Sequence, residues 1–164
     1  MRFILIIGFL FYLNPFRAQN NCEMGFVSDS LFVEKDNAFI LADGLKTPVF
    51  KNESQVKLFK VGNKYYLMLY FKNNTYFDMV SDLEIRSGSK SMWSKGAKQH
   101  QQGKHTAFFI VEVYKNYVAT LKDEGITSFV FNNNENTFGK QEVKEIKKIA
   151  NCFYQTINVP NSKK

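Results

Sequence analysis

Cysteine, histidine and tryptophan are scarce in this chain: 164 residues include two cysteines, two histidines and one tryptophan. Two thiols with no neighbouring histidine do not make the four ligands of a structural zinc site. His100 and His105 stand at a spacing that fits no helical ligand pair, and no third ligand accompanies them. Neither a metal nor a cofactor is therefore expected. The common catalytic signatures are missing too: no Gly-x-Ser-x-Gly elbow, no paired histidine–glutamate helix and no cysteine–histidine nucleophile pattern. Past residue 13 no apolar run is long enough to cross a bilayer, and neither an internal repeat nor a linker breaks the chain. Acidic residues are absent from Ile85 through Val111.

The start of the chain is rich where the rest is sparse. Arg2 precedes eleven apolar or glycine residues, Phe3 to Leu13, and Asn14, Pro15 and Arg17 end the run. That pattern reads as an export signal, residues 1–18, with Ala18 as the small residue before the cut. Phe16 fits the cleavage preference poorly, so an uncleaved N-terminal membrane anchor is the alternative. Gln19, Asn20 and Asn21 before Cys22 do not form a lipidation box. Composition and signal together suggest a bacterial exported protein, secreted or periplasmic. Removing Arg2 and Arg17 leaves a net charge of +5, a modest bias towards anionic surfaces. An even cysteine count in an oxidising compartment favours a Cys22–Cys152 bridge. Closing so long a loop is worth about 4–5 kcal/mol in the chain-entropy account.

Between signal and tail, residues 19–158 read as one globular domain, with 159–164 a disordered tail. Phe and Tyr alternate with polar residues, which is strand chemistry. Leu31 to Val33 and Ala38 to Leu41 read as short strands, and Asp43-Gly44 as a turn. Thr47-Pro48 opens an extended piece. Val56 to Val61 and Lys64 to Phe71 form the clearest hairpin, around Gly62-Asn63. The second of these strands is apolar on both faces and should lie centrally. Residues 79–85 and 106–114 are further strands, and Lys115 to Lys122 a short helix leaving through Gly125. Ile126 to Phe131 is a strand ending in the Asn132-Asn133-Asn134 turn. Val143, Ile146, Ala150, Phe153 and Ile157 give a C-terminal helix one apolar stripe. The expected fold is α+β: a mainly antiparallel sheet, sandwich-like or half-barrel, with this amphipathic helix packed on it.

The segment from Arg86 to Lys104 reads as a polar, flexible excursion. Arg86, Lys90, Lys95, Lys98 and Lys104 give it a charge equal to that of the whole mature chain. His100, His105 and Trp93 complete the candidate binding set. Cations beside an aromatic ring suit an anionic glycan, a glycolipid or a protein partner. No defined nucleic-acid module is present, so no specific nucleic acid is expected. Two rival readings stand beside this one. The segment is a solvated connection with Trp93 folded back on the core, or the chain is a small secreted hydrolase using Glu112 or the Asp82/Glu84 pair as acid and base. Ser87-Gly88-Ser89-Lys90-Ser91 lacks the spacing of a phosphate loop and reads as a hairpin turn. The favoured reading is a small exported non-catalytic binding domain, and exposed edge strands offer a further route to a partner chain.

Overall fold

The computed structural model describes residues 27–33, 38–72, 80–102 and 106–158. The expected signal, Cys22, Lys104, His105 and the expected tail lie outside these. Nine strands and two helices follow in the order β1 (Val27–Val33), β2 (Ala38–Lys46), β3 (Gln55–Val61), β4 (Lys64–Lys72), β5 (Val80–Ser87), β6 (Lys90–Gln102), β7 (Thr106–Val113), α1 (Lys115–Glu124), β8 (Ser128–Phe131), β9 (Asn134–Thr137) and α2 (Lys140–Asn158). All pairings are antiparallel, and the sheet runs β1-β2-β3-β4-β7-β6-β5-β8-β9.

The sheet curls into a half-barrel. Phe138, just after the ninth strand in the spatial order, lies 5.9 Å from Phe50, which follows the second. The Phe109 and Phe131 rings meet at 4.4 Å across the concave side. Two apolar residues per two-residue repeat explain why β4 is central. Leu67, Leu69 and Phe71 face the inner core, while Tyr66 and Met68 face an outer cluster with Phe59 and Phe108.

The helices fill the inner side. Ile146, Ile149, Ala150 and Phe153 bury the α2 stripe, and Phe153 meets Tyr65 edge-on at 6.1 Å. Val118 and Leu121 bury α1. The N–H of Gly139 donates to the Glu142 carboxylate at 2.7 Å, half of a capping box at the start of α2. Gly125 ends α1 at φ 73°, and a Cβ there would lie 2.7 Å from Val143 Cγ1. Glycine is required both for the left-handed turn and for the close approach of α2.

The structure differs from the sequence reading at three places. Asp43-Gly44 is not a turn but lies inside β2, opposite Lys60 and Phe59. The strand β9 follows a two-residue turn at Asn132 and Asn133, both at positive φ. Its residues, Asn-Glu-Asn-Thr, carry no apolar alternation, so only pairing with β8 makes it a strand. The third is the basic segment. Among the described residues no helix is long and apolar enough to cross a membrane.

Candidate functional site

Residues 86–102 are not a flexible loop. Residues 90–102 form β6, the longest strand, which pairs with β5 over its first part and with β7 over Gln99–Gln102. The expected turn at Ser87–Lys90 is present, with Gly88 and Ser89 at its tip. The strand was hidden because its inward residues include few large apolar side chains. Ala97 and Gln99 are buried there, and Met92 packs against the core. The hydrogen-bond ladder, rather than side-chain burial, fixes its path.

On β5, Leu83 and Ile85 are fully buried, so Asp82, Glu84 and Arg86 face outward. Trp93 lies opposite Glu84 and shares that face, 57 % exposed. It does not fold back on the core. Lys95 Nζ sits 5.8 Å from the indole centre and also donates to Asp82. A bulge between Ser81 and Leu83, with Gly96 at φ 60°, lets the Gly96 N–H reach Asp82 Oδ1 at 3.3 Å.

A second set of bonds runs across the strands beside it. Arg86 donates to Glu84 at 2.8 Å and to Glu135 on β9 at 2.9 Å. Ser91 donates to Glu84 and Ser128 to Glu135, both at 2.7 Å. Hydrogen bonds from Lys95, then from Gly96, hold the Asp82 carboxyl below the usual carboxylate range. Those from Arg86 and Ser91 do the same for Glu84, and Glu84 in turn raises the Arg86 guanidinium. Carboxylates stabilised in the charged form are poorly placed to donate a proton near neutral pH. Glu112 is paired with Lys64 at 2.7 Å near solvent, and that bond raises the Lys64 ammonium. Asp82 and Glu84 thus do not sit in the proton-retaining setting of a general acid.

The fold brings Arg86, Trp93 and Lys95 together. Lys98 and His100 follow on the same outward face of β6, and His100 stacks on Phe108 at 5.1 Å, at the margin of the outer cluster. Lys90 pairs with Ser87, whose hydroxyl bonds Tyr117 on the helix side, so by register it belongs to the opposite face. Lys104 and His105 lie outside the described residues. Absence of acid along 85–111 in sequence does not mean a basic surface in space. Asp82, Glu84 and Glu135 are set among these cations by strand pairing. The alternation of Asp82, Glu84 and Arg86 already places three charges on one face of a strand. Glu135, 49 residues from Arg86, carries no sequence signal of that contact.

No metal-binding group of three His, Cys, Asp or Glu residues occurs among the described residues. Comparison with protein-family models, curated proteins and solved structures finds no significant match.

Proposed function

We propose that the protein is an exported, non-catalytic binding domain that takes a glycan on the outer face of β5 and β6. The observation that carries this reading is Trp93: a large aromatic ring more than half exposed in the middle of a paired strand. An indole face is electron-rich and meets the weakly positive C–H groups of a pyranose ring. Ser91, Asp82, Glu84, Arg86 and Lys95 around it offer donors and acceptors for hydroxyl groups. Asp82, Glu84 and Glu135 offset Arg86 and Lys95, so the balance of charge favours a hydroxyl-rich saccharide over a polyanion.

Export is part of the same proposal and rests on residues 1–18. The Cys22–Cys152 bridge belongs with it. Cys152 is buried in α2, and its proposed partner Cys22 lies outside the described residues.

Trp93 is the sole tryptophan, so its fluorescence reports on the site directly. Titration with soluble neutral oligosaccharides (glucan, chitin and mannan series) and with heparin tests the reading. A saturable change in emission with a neutral glycan is expected, and Trp93→Ala should weaken binding by at least about tenfold in calorimetry. Binding that survives Trp93→Ala, or retention by heparin alone, would refute it.

A further inference from the structure

Among the described residues the sheet ends at β9, and the turn before it fixes the phase of its hydrogen bonds. The two-residue turn makes Phe131 and Asn134 the bonded pair that closes the hairpin. The Phe138 N–H donates to Thr127 O at 2.9 Å, which keeps the same phase four residues on. Bonded and non-bonded pairs alternate in an antiparallel ladder. Asn134 and Asn136 therefore address β8, while the N–H and C=O groups of Glu135 and Thr137 point away from it. Among the described residues no strand pairs with that side.

Beside this edge lies a pocket of about 100 Å³. Phe71, Phe129 and Phe138 give it apolar walls, Asn52 and Ser54 of the β2–β3 connection and Lys72 at the end of β4 add polar ones, and Asn136 and Thr137 come from β9 itself. Asn136 pairs with Phe129, an inner-core residue. A strand laid along β9 would thus turn the residue opposite Asn136 towards the pocket, and its two neighbours outward. A cavity of roughly 150 Å³ admits a benzene ring. The smaller volume here suits a branched aliphatic side chain.

We propose that β9 and this pocket form a docking site for an extended segment of another protein, which adds as a further strand and seats one aliphatic side chain opposite Asn136. Outward backbone groups supply affinity, and the pocket supplies selection. A second copy of β9 does not fit, because Asn134–Thr137 contains no aliphatic side chain to fill the pocket. The site is separate from the Trp93 face and does not depend on the glycan reading.

The test uses fluorescein-labelled peptides with lysine at each end and seven residues between, all threonine except the central one. The centre is leucine, isoleucine, valine, phenylalanine or aspartate, and binding is read by anisotropy on the intact protein. Saturable binding of an aliphatic peptide is expected, with the aspartate peptide at least about tenfold weaker. Methylating the two backbone nitrogens that flank the centre should weaken it by a similar factor. Thr137→Pro removes an N–H that faces away from β8, so it should reduce binding about tenfold while the circular dichroism is unchanged. Should that variant unfold, the methylated peptide on the unaltered protein decides. No saturable binding of any peptide up to millimolar concentration, or equal binding of the aspartate or methylated peptide, would overturn the proposal.

Discussion

Gly44→Ala tests the register that holds the outer face. Gly44 sits in β2 opposite Phe59, with the Phe59 ring laid over it. A Cβ at this position would stand 2.5 Å from both Leu58 O and Phe59 Cδ1, and 2.9 Å from Phe59 Cε1. Ordinary carbon contacts begin near 3.5 Å, so the ring must move by about 1 Å and the Leu58 carbonyl must give way as well. Phe59 is 1 % exposed and packed with Tyr66, Met68 and Phe108, which leaves it little room. Overpacking of this kind costs about 1–3 kcal/mol. Alanine recovers about 0.4–1 kcal/mol by restricting the unfolded chain. The net loss is then about 1–2 kcal/mol, a fall in melting temperature of roughly 3–6 °C for a chain this size. Urea denaturation followed by circular dichroism measures it. Phe59→Val in the same molecule removes the offending Cδ1 and Cε1, and the pair should be less destabilised than the two single changes added, by about 1 kcal/mol. An alanine variant as stable as the parent, or strict additivity, would refute the packing argument. The turn that the sequence suggests at Asp43-Gly44 would give that null result.

Two other perturbations read the interior and the outer network through pH. Burial pushes the Tyr117 phenol up to about 12, partly offset by its bond to Ser87. Its folded value lies above its unfolded one, so its contribution is full below pH 10 and is lost as pH rises towards 12; denaturation at pH 9 and 11.5 should show Tyr117→Phe losing roughly 1–2 kcal/mol less than the parent across that window. Asp82 and Glu84 lie below their unfolded values, so they stabilise the fold above the ordinary carboxylate range and that contribution disappears as pH falls through their depressed values. Glu84→Gln should therefore flatten the acid limb of the Trp93-fluorescence stability curve, and an unchanged acid limb would count against the network.

Much of the fold was legible because local chemistry and tertiary packing agree in it. The β3–β4 hairpin, the central place of β4, the Gly125 exit and the α2 stripe all follow from periodicity and glycine placement. Misreadings occur where a strand is defined by its neighbours. β6 carries polar residues on both faces, because Gln99 is buried on the inner side and Trp93 exposed on the outer. β9 has no apolar residue at all. At Gly44 a close approach of backbone and ring, rather than a turn, selects glycine, and a single sequence does not distinguish the two. Arg86, Trp93 and Lys95 were legible as candidates, but their carboxylate partners were not, since pairing across 49 residues sets the Arg86–Glu135 bond.

These carboxylates change what the site is suited to do. Exposed ion pairs taken singly contribute little to stability. Here they serve position: Arg86 ties β5 to β9 through Glu135 and is itself held by Glu84 on its own strand, Ser91 ties β6 to β5, and Asp82 holds both Lys95 and the bulge at Gly96. Trp93 stands between Ser91 and Lys95 on that braced strand. A ligand stacking on it meets a ring whose backbone is already ordered, so little conformational entropy is lost on binding. The helices meanwhile occupy the concave side through Ile146, Ile149 and Phe153. The curled sheet packs its helices on the inner surface, and under the proposed reading glycan recognition falls to the outer surface, where an exposed aromatic ring among paired charges is matched to a sugar ring better than to a charged polymer.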